Sequence, residues 1–95
     1  MKLPMRARIL HLLYSSHKAL TLSDIMQNIF EEYKDEKQFR KNMVDLHLES
    51  MRAVGLIEVT NVKLAAKDEL EEYFSITEYG IARLQYLPEK WKKIG

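Results

Sequence analysis

Along the first half of the chain, apolar residues recur with a helical period, and beyond Gly55 they begin to alternate. Pro4 to about His17 predicts a first helix. Pro4 suits the opening position, where its missing N–H costs nothing, and Ile9, Leu10, Leu12 and Leu13 form the apolar side. The next block opens on a helix-start signature: Thr21 can cap, Asp24 can reach back, and Leu20 can pack on Ile25. Ile25, Met26, Ile29, Phe30 and Tyr33 then form a stripe. The short link at Lys34 implies that this helix and the next cross at a large angle to share one core.

The third segment, Asp35 to Gly55 (DEKQFRKNMVDLHLESMRAVG), predicts one long amphipathic helix. Asp35 can sit at its N-cap with Gln38 completing a capping box, and Gly55 can supply the left-handed ending. At about 100° per residue, Phe39, Met43, Leu46 and Val54 share a face that Val44 and Met51 widen. Gln38, Lys41, Asn42, Asp45, Glu49 and Arg52 take the other face, and His47 lies near the apolar edge. Two extended runs follow. LIEVTNVKL places Ile57 and Val59 on one side, and Glu71 to Thr77 places Phe74 and Ile76 together. Leu64 to Leu70 has no Gly, Asn or Pro for a two-residue turn, so a longer loop, with room for a helical turn, is expected. Thr77 can cap a last helix with Ile76 and Ile81 as its staple; Leu84 and Leu87 continue the buried side and Pro88 stops it.

Length and charge narrow the class. Ninety-five residues, 46% of them hydrophobic, suit one domain spanning 1–95, with 88–95 as a basic C-terminal tail. Cysteine is absent, which removes disulfides, thiolate metal sites and a cysteine nucleophile. No apolar run approaches the roughly 18 residues of a membrane span, and MKLPMRARIL is too interrupted by arginine for a signal peptide. A soluble cytoplasmic protein is expected. The net charge is only +1, yet Lys2, Arg6, Arg8 and Lys18 open the chain without an acid, and residues 68–72 are acidic apart from Leu70.

Chemistry of the catalytic kind is missing. His11, His17 and His47 make no HExxH motif, so no metal is expected. Glu31-Glu32 and Glu71-Glu72 are sequence neighbours that point apart, no glycine-rich phosphate loop exists, and no local pattern arranges a Ser or Thr nucleophile. Neither an enzyme nor a cofactor is expected.

Helix, capped helix, long helix, hairpin, helix resembles the winged helix-turn-helix DNA-binding family. The likeness is closest at Gly55-Leu56-Ile57 and at Tyr73-Phe74-Ser75-Ile76-Thr77-Glu78-Tyr79-Gly80, which is similar to the strand-into-helix joint of MarR-like and PadR-like regulators. The resemblance implies a mainly α fold with a small β-hairpin. It also implies a recognition helix at 35–54 in the major groove of double-stranded DNA, with the hairpin, residues 57–76, as the wing. Its groove-facing residues would be Lys37, Gln38, Lys41 and Asn42, whose side chains can read guanine and adenine edges or, for Lys41, meet phosphate. The wing would offer Thr60, Asn61, Lys63 and Lys67. In the tail, Lys90, Lys92 and Lys93 flank Trp91 and form either a backbone clamp or an exposed end.

One feature departs from standard docking. Asp45 and Glu49 share the outward face with Lys41, and carboxylates repel phosphates. Either Asp45 neutralises Lys41 as an intrahelical pair, or the helix enters by its first turn only, or the wing is the reader. The expectation is a non-enzymatic, homodimeric DNA-binding protein. It would act as a transcription regulator, or as an accessory protein marking a plasmid or phage site for replication or conjugative transfer. The alternative is a winged-helix protein-interaction module that binds no DNA.

Overall fold

The computed structural model describes residues 4–64 and 69–85. In order along the chain come α1 (Met5–Ser16), α2 (Leu22–Tyr33), α3 (Lys41–Ala53), β1 (Ile57–Leu64), β2 (Leu70–Ile76) and α4 (Glu78–Leu84). This is the helix-helix-helix-strand-strand-helix order expected from the sequence. Lys67, Trp91, Lys90, Lys92, Lys93, Leu87 and Pro88, with most of the expected helical turn after Leu64, lie outside the described residues.

Local chemistry accounts for most of the boundaries. At α2, Thr21 Oγ1 accepts from Asp24 N at 3.2 Å while Thr21 N donates to Asp24 Oδ2 at 3.1 Å. That is the reciprocal capping box, and Leu20 and Ile25 are buried beside it. Helix α1 ends one residue earlier than expected, because His17 takes the left-handed conformation at φ 56° as its C-cap. Gly55, at φ 84°, turns the chain out of α3, where a Cβ would be strained.

The third helix departs from expectation at its start. Residues 34–40 are not its first turns. They form a chain of tight turns, with Glu36 N donating to Tyr33 O, Phe39 N to Glu36 O and Arg40 N to Gln38 O. Helical bonding begins only with Val44 N to Arg40 O, so Arg40 and not Asp35 holds the N-cap position. The cause is steric. Tyr33 is buried at the end of α2, and the chain needs these residues to reverse direction while Phe39 packs edge-on against Phe30, 6.0 Å between ring centres.

The helix is also rotated from the expected phase. Val44, Leu48 and Met51, at i, i+4 and i+7, are the buried residues of α3, whereas Leu46 and Val54 are 55% and 63% exposed. Two apolar stripes compete on this helix, and the narrower one faces the core.

That core joins Ile9 and Leu13 of α1, Ile25, Ile29 and Tyr33 of α2, the α3 stripe, Ile57 of β1 and Phe74 of β2. Each such side chain contributes about 1.5–3 kcal/mol by leaving water. The two strands pair antiparallel from Ile57–Ile76 out to Leu64–Leu70. Leu20 joins β2 as a third, one-residue strand: Leu20 N donates to Phe74 O at 2.9 Å, and Phe74 N to Leu20 O at 2.8 Å.

A bulge at Thr60 shifts the register between Val59 and Asn61. Before it, Ile57 and Val59 share the face of Phe74 and Ile76. After it, Val62 and Leu64 take that face, and Asn61 and Lys63 pass to the opposite one.

Two short joints fix α4 to this frame. Thr77 Oγ1 accepts from Gly80 N at 3.0 Å as an N-cap, and its own proton points to the carbonyl oxygens of Gly55 and Leu56. Gly80 is buried against Leu56, and a Cβ there would lie 2.2 Å from the Leu56 carbonyl oxygen. The threonine, two residues and a glycine of the sequence are therefore a contact motif that seats α4 on the turn leaving α3.

Candidate nucleic-acid interface

Lys41 and Asn42 stand exposed on the first turn of α3. With Ser23 at the start of α2 they line an open groove of about 680 Å³ that separates α3 from β2. The N-terminus of α3 has no side-chain cap and no acidic residue in its first turn. Its unsatisfied amides and the helix dipole therefore favour an anion there. Arg40, exposed at the N-cap, adds a second cation beside Lys41.

Three other arginines are occupied. Arg52, at the far end of α3, lies 3.2 Å from Glu72 on β2 and 4.0 Å from Glu49. Arg8 binds Glu32 at 2.8 Å and so ties α1 to α2. Arg6 Nε donates to His47 Nδ1 at 2.9 Å and ties α1 to α3. Among the described residues, Arg40 and Lys41 form no ion pair, and in particular Lys41 is not neutralised by Asp45.

Lys37 and Gln38 are not beside Lys41 and Asn42. They sit in the turns before α3 and line a different hollow, with Pro4, Met5 and Tyr33. On the wing, Thr60 occupies the bulge, and its Oγ1 lies 3.3 Å from Ser75 Oγ. Asn61 Oδ1 accepts from Val62 N at 2.9 Å, which leaves its amide protons available. The Lys63 ammonium lies 5.1 Å from the Tyr73 ring centre, a cation–π contact that holds it over the strand face away from the core. The expected sites thus fall into three places: the α3 first turn, the turns preceding it, and the outer face of the wing. Arg40 and Ser23 were not expected. No local signal in the sequence marks Arg40, because the start of α3 is set by the turns that pack Phe39 on Phe30.

The groove's electrostatics are mixed. Asp45, Glu69, Glu71 and Glu72 line it against Lys41, so its wing side repels phosphate. An anion is therefore favoured at the first turn of α3 and disfavoured along the wing side.

The same frame recurs in a solved structure. The crystal structure of a PadR-like transcriptional regulator from Bacillus cereus superposes with a TM-score of 0.64, over 84% of this chain and 73% of that one, at 18% sequence identity. The fold is a winged helix-turn-helix. No protein-family model and no curated protein matches the sequence. In this fold α2 and α3 form the helix-turn-helix and β1–β2 the wing. Among the described residues, no helix is long and apolar enough to cross a membrane, and no cluster of His, Cys, Asp or Glu could hold a metal ion.

Proposed function

We propose that this chain is a non-enzymatic, double-stranded-DNA-binding protein of the cytoplasm, a single winged-helix domain over 1–95 that works as a homodimer. The observation that carries this reading is the open first turn of α3. There Arg40 and Lys41 have no ion-pair partner among the described residues, Asn42 can hydrogen-bond a base edge, and the uncapped helix end favours phosphate. The likeness to a structure described as a transcriptional regulator supports it. Docking is by the tip of α3, because Asp45 and Glu49 would meet the opposite backbone if the helix lay deep along the groove.

Asn61 and Lys63 on the outer wing, with Thr60 at the bulge, supply a second contact, and Lys37 and Gln38 flank the first. Lys67, Lys90, Lys92 and Lys93 add phosphate contacts in this reading. Two copies would place two such tips on half-sites about one helical turn apart. In this reading occupancy of a site is the mechanism. It serves either transcription control or the marking of a plasmid or phage site for replication or conjugative transfer.

A titration of labelled duplex at several salt concentrations tests the reading. Log affinity should fall linearly with log salt, with a slope of roughly −0.9 per phosphate contacted. Absence of binding to any duplex at low salt refutes it. The four carboxylates of the groove favour the second reading, a protein-docking module, and that outcome would select it.

A further inference from the structure

The wing leaves one strand edge open. On β2, Phe74 gives its N–H and C=O to Leu20, so both groups point away from β1. Its partner Val59 therefore belongs to a non-hydrogen-bonded pair and turns its own N–H and C=O to the outer edge. By the alternation along β2, Glu72 and Leu70 point the same way as Phe74, so their partners Val62 and Leu64 also turn outward. The Val62 N–H agrees, since the acceptor it meets is Asn61 Oδ1 on its own strand, at 2.9 Å. Among the described residues no strand pairs with this edge, and Glu58 and Thr60 to Leu64 are exposed.

A lysine or a bulge normally blunts such an edge. β1 has both, at Lys63 and Thr60, yet here they make the edge complementary to itself. A regular strand that pairs antiparallel with its own copy about a two-fold axis must match residues an even number of positions apart, so that like faces meet. The bulge puts the two halves of β1 out of phase, so residues an odd number apart share a face. A two-fold axis between Thr60 and Asn61 then sets Val59 of one copy against Val62 of the second, and Glu58 against Lys63.

Both pairs match. Val59 and Val62 lie on the face of Phe74 and present outward backbone groups to each other, and Val62, 47% exposed, gains an apolar cross-strand neighbour. Glu58 and Lys63 lie on the opposite face with opposite charges, and Glu58 forms no ion pair among the described residues. We propose that this edge joins two copies of the chain, β1 against β1, into one continuous antiparallel sheet.

The proposal deepens the homodimer of the reading above by naming its surface, and it does not depend on DNA binding. A strand this short offers less than the about 800 Å² per partner of a standard interface, so the dimer is weak and concentration-dependent. Pairing costs the Val62 N–H its bond to Asn61 and gives it a carbonyl of the second copy in return. It also gathers Asn61 and Lys63 of both copies on one outer face beside the axis, where a duplex would meet them together.

Sedimentation equilibrium of the full chain without DNA, over a range of protein concentrations, tests this. A reversible monomer–dimer equilibrium is expected. Val62→Pro removes one outward N–H and no bond between β1 and β2, so with circular dichroism unchanged it should weaken dimerisation at least tenfold. Glu58→Lys and Lys63→Glu should each weaken self-association several-fold, and an equimolar mixture of the two variants should restore it. The mixture decides the matter even where the proline variant fails to fold. A dimer that a folded Val62→Pro variant leaves untouched overturns the proposal and puts the homodimer on another surface. So does an affinity that fails to follow the charges at 58 and 63. A chain that stays monomeric at every concentration overturns the proposal and the homodimer together, whereas the duplex titration alone decides the DNA reading.

Discussion

Replacing Gly80 with alanine tests how α4 is seated. The added Cβ would lie 2.2 Å from the Leu56 carbonyl oxygen and 2.7 Å from Ile76 Cγ1. The first contact is about 0.8 Å inside the closest approach that real Cβ atoms make. The opposing atom is backbone, fixed by Gly55 at φ 84° and by the bonds from Thr77 to Gly55 and Leu56. It cannot swing aside as a side chain would. Overpacking of this kind costs about 1–3 kcal/mol, and the upper end applies against rigid backbone. Alanine returns up to about 1 kcal/mol through helix propensity. The net loss is about 2 kcal/mol. For a domain of this size each kcal/mol moves Tm by about 4–8 °C, so Gly80→Ala should melt roughly 8–16 °C lower. Thermal unfolding followed by circular dichroism at constant protein concentration reads this directly. An unchanged or raised Tm would show that α4 does not rest on the turn after α3.

The rotation of α3 is checked by a pair of variants. Leu48→Ala should lower stability by about 2–5 kcal/mol, while Leu46→Ala, on the exposed side, should change it by no more than about 0.5 kcal/mol in urea unfolding; the reverse ranking would return the helix to its other phase. Acid sensitivity follows from two histidines. Burial, reinforced by Arg8 for His11 (with Glu32 opposing) and by Arg6 for His47, holds both below the ordinary value of 6.5. The folded chain thus refuses protons that the unfolded chain accepts, so stability is full above pH 6.5 and falls as pH drops through the folded values. His47→Gln, which keeps an acceptor for Arg6, should flatten part of that loss, and a urea midpoint insensitive to pH in the unaltered chain would contradict the assignment. Tyr33 behaves oppositely. Burial, with Glu32 and Glu36 adding and Arg8 opposing, pushes its hydroxyl up to about 12 from 10.0. Stability is therefore intact below pH 10 and lost as pH rises toward about 12. Tyr33→Phe should remove that alkaline loss, and an identical alkaline transition in the variant would assign it elsewhere.

The element order was legible because its signals are local. Thr21 with Asp24, the stripe from Ile25 to Tyr33, the alternation after Gly55 and the cap at Thr77 each act within a few residues, and each forms as expected. The site was less legible because its signals are not local. Asp35 and Gln38 have the spacing of a capping box, but the buried end of α2 at Tyr33 and the packing of Phe39 on Phe30 claim those residues for a turn. The start of α3 moves to Arg40, and Lys37 and Gln38 leave the face of Lys41. Leu46 and Leu48 are equally apolar, and only the packing of α3 against α1, α2 and β1 decides which is buried. The bulge at Thr60 has no sequence marker such as glycine, yet it determines that Asn61 and Lys63 face away from the core.

The central claim is that the first turn of α3 meets the DNA backbone through unpaired cations. The most direct measurement is the salt dependence of duplex affinity for Lys41→Ala beside the unaltered chain. If Lys41 meets a phosphate, the slope of log affinity against log salt should become shallower by roughly 0.9 per bound copy. A variant that binds with the same affinity and the same slope would contradict the account and leave the wing as the reader.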